Sequence, residues 1–119
     1  MTETKPIEIR LTPEFKRKLY TLTKKYRQIQ SDLQPILEQL QMGEVLGDRL
    51  VGIGATVLKI RVRNTDAKRG KSGGYRLIYW FQSSECIVLV DIYSKSEQDN
   101  VEAIEIQRII AEFEPQNEE

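Results

Sequence analysis

Ile7, Ile9 and Leu11 alternate with polar neighbours, the period-two pattern of a half-buried strand. Thr12-Pro13-Glu14 follows and reads as a helix start, with Thr12 as N-cap and Pro13 at the first helical position. Phe15, Leu19, Leu22, Tyr26 and Ile29 then recur at spacings of four and three, one apolar stripe along a helix. Ser31-Asp32 interrupts the stripe and is expected to cap a second helix, in which Leu33, Ile36, Leu37 and Leu40 share a face. That start places Pro35 in the first turn, where its missing N–H has no partner to lose. Two amphipathic helices joined this tightly predict a hairpin lying on an apolar surface.

Residues 41–55 carry Gly43, Gly47, Gly52 and Gly54 and read as an ordered loop. Three strand-like runs come next, Val57 to Arg63, Tyr75 to Gln82 and Ile87 to Tyr93, with connections short enough to predict an antiparallel meander. A last helix is expected from about Glu97 to Phe113, with Val101, Ile104, Ile106, Ile109, Ile110 and Phe113 on one side. The polar tail Glu114 to Glu119 is expected to fray. The pattern therefore predicts an α+β fold: N-terminal strand, helical hairpin, three-stranded meander, C-terminal helix. No repeat or linker divides residues 1–119, and the length suits one domain with its own core.

Composition narrows the class without deciding it. Hydrophobic residues make up 39% and charged residues 30% of the chain, ordinary for a soluble globular protein. No apolar run is long enough to span a bilayer, and the stretch from Met1 to Pro6 lacks the layout of a secretory signal. The single cysteine excludes an internal disulfide, which makes a reducing cytoplasmic setting the expectation. Formal net charge is zero, but its distribution is uneven. Seven basic residues against one acid, Asp66, fall between Lys59 and Arg76, whereas eight acids and only Arg108 fall from Glu97 onward. Such a split gives the molecule a directed field.

The basic segment has internal order. Leu58, Ile60 and Val62 point to one side of their strand, and Lys59, Arg61 and Arg63 to the other. Arg76 shares a face with Ile78 and Trp80 in the next strand, and Asp91 shares one with Tyr93 in the third. If the meander pairs in register, these polar groups meet on one side of the sheet. Three cations in a row repel one another unless an anion or solvent screens them. The loop from Asn64 to Gly74 adds Lys68, Arg69 and Lys71 among glycines whose backbone N–H groups can approach a bound phosphate closely. Two readings of these residues stand: a phosphodiester-binding surface, or an exposed hairpin tip that lysines keep soluble.

Several sharper motifs fail. Gly70-Lys71-Ser72 resembles the end of a phosphate-binding P-loop, but Thr65 stands where the first glycine belongs and a strand follows. Gly52-Ile53-Gly54 is too short for a dinucleotide fingerprint. The chain has no histidine, which excludes Ser/His and Cys/His nucleophiles and disfavours nitrogen-rich metal sites. Cys86 opens an apolar strand and reads as a small buried hydrophobe.

Lys59-Ile60-Arg61-Val62-Arg63, then Gly70-Lys71-Ser72-Gly73-Gly74-Tyr75-Arg76-Leu77-Ile78-Tyr79, then Ile92-Tyr93-Ser94-Lys95-Ser96-Glu97, together resemble the RelE/HigB branch of the RelE/ParE toxin superfamily. The order of predicted elements agrees with that family's fold, and the resemblance covers most of the chain. It implies the toxin of a type II toxin–antitoxin system: a ribosome-dependent endoribonuclease that cuts mRNA and is neutralised by a cognate antitoxin. The implied mechanism needs no metal or other cofactor. The ribose 2′-hydroxyl attacks the adjacent phosphate, a base takes its proton, and cations stabilise the charged intermediate.

By position, the resemblance gives Lys59 and Arg61 the family's basic strand, Arg76 the phosphate-stabilising arginine, Tyr93 a stacking role on a base and Lys95 a place near the leaving oxygen. Arg63, Lys68, Arg69 and Lys71 are expected to contact the RNA backbone. Arg61 stands where the family's pattern has a second lysine, and an arginine is a poor base. Lys59 is therefore the expected base, its proton made easier to release by neighbouring cations. The arginine expected as general acid after Lys95 is replaced by Ser96. A ParE-like inhibitor of DNA gyrase and a plain RNA-binding module are the alternatives. A convergent set of Lys59, Arg61, Arg76 and Tyr93 favours the nuclease over either.

Overall fold

The computed structural model describes residues 5–66 and 74–116. Strand β1 (Glu8–Leu11) leads into Thr12, which is fully buried. Its hydroxyl accepts the N–H of Phe15 at 3.0 Å and donates to the carbonyl of Val90 at 2.8 Å, so one side chain caps a helix and fastens it to the sheet. Helix α1 (Pro13–Lys25) begins with Pro13 in its first turn and buries Phe15 and Leu22.

Helix α2 (Ile29–Gln41) starts earlier than the sequence pattern suggests. Ile29 opens α2 and is fully buried there, so it does not end the α1 stripe. Ser31 and Asp32 lie within the helix, and Pro35 is inside it, beyond the turn where its missing N–H would be harmless. At the residue before the helix, the Asp66 carboxylate accepts the N–H of Gln28 at 2.7 Å. Asp32 instead accepts the N–H and hydroxyl of Thr65, at 3.0 and 2.8 Å. Thr65 and Asp66 are thereby tied to the start of α2.

The glycine-rich stretch contains a short strand that the sequence did not show, β2 (Asp48–Leu50). After it come β3 (Val57–Val62), β4 (Tyr75–Ser83) and β5 (Cys86–Ser94). The expected meander is present, but it is the middle of a five-stranded sheet ordered β1-β5-β4-β3-β2. β1 pairs parallel with β5, and β2 pairs antiparallel with β3. Helix α3 (Ala103–Gln116) starts later than Glu97 and continues past Phe113. Its residue Ile104, expected on the apolar side, is 73% exposed.

The sheet is covered on both faces. α1 and α2 pack on one, over Leu58, Ile60, Val62, Leu77, Tyr79, Leu89 and Ile92. On the other, Ile106, Ile109, Ile110 and Phe113 of α3 pack over Val57, Ile78, Trp80, Val88 and Val90. Val90 and Ile92 therefore lie on opposite faces although they are two residues apart. A register shift between Ile78/Tyr79 and Asp91/Leu89 accounts for this: Val90 is the extra residue of a β-bulge. Asp91 keeps its register two steps from Tyr93, opposite Ile78, but it does not line the pocket formed by the basic residues. Asp91 is fully buried and paired with Lys18 of α1. No helix among the described residues is long and apolar enough to cross a membrane.

Candidate functional site

α3 covers only part of its sheet face, and the uncovered part is where the basic residues lie. Across the strands, Arg61 stands opposite Arg76, and Arg76 opposite Tyr93, forming one lateral row. Lys59 stands one step along β3, opposite Ile78. Burial of Leu58, Ile60 and Val62 against the helical hairpin forces Lys59 and Arg61 outward onto this face.

An open pocket of about 400 Å³ sits there. Lys59, Arg61, Arg76, Tyr93 and Lys95 all line it. Two carboxylates, Asp48 and Asp99, complete the lining. Four cations thus face two acids, a local excess of positive charge suited to an anionic ligand. The backbone N–H of Lys95 donates to the carbonyl of Gly74 at 2.8 Å, which brings Lys95 beside the start of β4. Gly74 has φ of +68°, and a Cβ there would collide with the carbonyl of Val62, so the glycine before Tyr75-Arg76 is required for this close approach.

Each cation is held differently. Arg76 is 9% exposed, and its Nη1 donates to the carbonyl of Tyr75 at 3.4 Å. Lys59 Nζ reaches the side-chain oxygen of Asn100 at 3.4 Å. Lys95 Nζ donates to the backbone carbonyl of Asp99 at 3.0 Å and lies 3.6 Å from its carboxylate. Ser96, which replaces the expected general acid, shares a hydrogen bond with Ser94 at 3.0 Å.

Tyr93 departs from its expected role. It is 3% exposed and packs with the α3 cluster, so its ring offers no stacking platform for a base. Tyr93 lines the pocket, and its hydroxyl is buried without a hydrogen-bond partner among the described residues. Burial pushes that hydroxyl above the ordinary tyrosine range; nearby Arg76 opposes the rise, and Asp91 and Asp99 add to it. It is a neutral donor at physiological pH.

Arg63 lies exposed past the end of β3, and Lys68, Arg69 and Lys71 fall outside the described residues. Asp48, Asp99 and Asn100 were missed by the sequence reading. The available sign of Asp48 was Gly47 immediately before it, with φ of +90° at the entry to β2. Among the described residues, no three Cys, Asp or Glu side chains converge as metal ligands would.

The family profile described as the RelE toxin of the RelE/RelB toxin–antitoxin system matches residues 14–113. The chain belongs to the RelE toxin family. The match runs from the first turn of α1 to Phe113 of α3 and takes in every pocket residue. Among curated proteins none matches this RelE-family chain. Membership makes it the toxin of a toxin–antitoxin pair, with an antitoxin as its partner. The mixed α+β architecture of three helices and a five-stranded sheet fits a RelE-like fold.

Proposed function

We propose that this RelE-family toxin is a ribosome-dependent mRNA endoribonuclease of the HigB-like branch, acting in the cytoplasm without a metal. The observation that carries the reading is the convergence of Lys59, Arg61, Arg76, Tyr93 and Lys95 on one open pocket. A protein that only docks on a partner has no need of four cations aimed into a concave site, whereas a phosphodiester in transition to a dianionic intermediate does. Arg61 and Arg76 hold the phosphate oxygens, the planar fork of each guanidinium matching two of them. Lys59 serves the attacking 2′-oxygen and Lys95 the leaving 5′-oxygen, with the Tyr93 hydroxyl as a further donor. Bond formation between the 2′-oxygen and phosphorus breaks the bond from phosphorus to the 5′-oxygen, leaving a 2′,3′-cyclic phosphate and a 5′-hydroxyl. The cognate antitoxin covers the same cationic surface with acidic and apolar segments that order on binding.

Primer extension on translated mRNA, after induction of the wild type and of Arg76→Ala, tests the reading. Cuts positioned by codon in the wild type and lost in the variant are expected. Growth arrest with intact mRNA rejects it and favours the ParE-like alternative.

A further inference from the structure

We infer that Asp48 is the group that accepts the 2′-hydroxyl proton and that β2 is the element holding it in place; the assignment rests on the nuclease reading. The chain contains no histidine. Of the side chains lining the pocket, four are cations and one is a buried hydroxyl, so the groups free to accept a proton at neutral pH are the carboxylates of Asp48 and Asp99. An ammonium group must first lose its own proton, and Lys59 Nζ is engaged as a donor to Asn100.

The two carboxylates are not equivalent. Asp99 has a side chain 97% exposed, lies outside the strands and helices, and sits on the Lys95 side of the pocket. Asp48 is exposed too, but the backbone that carries it is fixed at three points. Just upstream, the hydroxyl of Tyr79 donates to the carbonyl of Leu46 at 2.8 Å and accepts its N–H at 3.1 Å. Gly47 lies so close to β3 that a Cβ would stand 2.5 Å from the carbonyl oxygen of Lys59. Asp48 then pairs directly opposite Lys59 in the β2–β3 register. A short edge strand is thus pinned at the position that sets a carboxylate beside the lysine of the attacking side. On binding grounds alone, a carboxylate in a polyanion pocket repels the ligand, so fixing one there fits a part in the reaction.

The step balances. The 2′-hydroxyl proton passes to the Asp48 carboxylate as the 2′-oxygen bonds to phosphorus. Lys59, Arg61 and Arg76 remain charged and stabilise the intermediate. The 5′-oxygen leaves with a proton from the Lys95 ammonium. The role that the sequence assigned to Lys59 as base moves to Asp48.

The test uses the full chain, in excess over ribosomes holding a defined mRNA in the decoding site, with single-turnover cleavage and binding measured separately. Asp48→Asn is expected to slow cleavage by about 10²–10⁴-fold, with binding as tight as the wild type or tighter because a repelling charge is gone. Asp48→Glu is expected to recover part of the rate. The groups facing Asp48 across the pocket are Lys59, Arg61, Arg76, Lys95, Tyr93 and Asp99. Asp48→Asn cleaving within about threefold of wild type overturns the assignment alone. Wild-type protein that leaves the mRNA whole overturns the nuclease reading and this assignment with it.

Discussion

Arg61 and Arg76 stand directly opposite one another across the β3–β4 ladder and line the same pocket. Like charges in that position destabilise an antiparallel pair, so the ligand-free protein holds an arrangement that an anion relieves. Arg61→Ala is expected to raise stability by roughly 0.2–1 kcal/mol while weakening RNA binding and cleavage. Thermal melts with and without a short RNA oligonucleotide check this. The oligonucleotide should raise the wild-type Tm more than that of the variant, and the difference should shrink with added salt.

The Lys18–Asp91 pair is of another kind. Lys18 Nζ lies 2.9 Å from a carboxylate that is wholly buried, while Lys18 itself keeps a side chain 34% exposed. Burial pushes the Asp91 carboxyl above the ordinary aspartate range, and the Lys18 hydrogen bond and charge offset only part of that rise. A group that holds its proton more tightly when folded favours the native state at low pH, and this contribution fades as pH rises through the folded pKa. Asp91→Asn should therefore remove a decline in stability that the wild type shows from the ordinary aspartate pKa upward, at little overall loss. Lys18→Met leaves the buried carboxylate unpaired and should cost about 2–4 kcal/mol at neutral pH, less than a fully buried pair because Lys18 is partly solvated. Denaturant titrations at several pH values measure both.

Tyr75 and Tyr93 each bury a hydroxyl without a hydrogen-bond partner among the described residues, on opposite faces of the sheet. An unmet buried hydroxyl costs about 1–3 kcal/mol, so Tyr75→Phe and Tyr93→Phe should each leave stability unchanged or raise it. Only Tyr93 lines the pocket. Tyr93→Phe is expected to slow cleavage about tenfold or more, whereas Tyr75→Phe is expected to cleave as the wild type does. Equal cleavage by the two variants would remove the Tyr93 hydroxyl from the reaction.

Local chemistry was readable where one stretch of chain decides its own structure. Thr12-Pro13 starts α1 because cap and first-turn proline act within a few residues, and the alternation of Val57–Val62 sends Lys59 and Arg61 to one face. What stayed hidden depends on distant partners. Ser31-Asp32 looks like a cap, yet the helix begins before it, Asp66 meets the N–H of Gln28 ahead of that start, and Asp32 bonds outward to Thr65. Three residues are too few to display a period, so β2 is visible only through its pairing with β3. The Val90 bulge has no mark in the apolar run from Cys86 to Val90, and the burial of Asp91 against Lys18 depends on how α1 packs beside β5. Consequently the five cationic and aromatic pocket residues were legible, and the two acids beside them were not.

The hydroxyl of Thr12 meets the carbonyl of Val90 across 78 residues of sequence, and β1 lies parallel against β5 over the same span. Closing so long a loop delays the contacts that depend on it. β5 is also the strand that brings Tyr93 to the pocket and leads directly into Lys95. A growing chain that has exposed only Lys59, Arg61 and Arg76 has three of the site's cations but neither the strand that completes their row nor its pairing with β1. The pocket is therefore completed late in chain synthesis, once β5 has emerged and docked against β1 and β4.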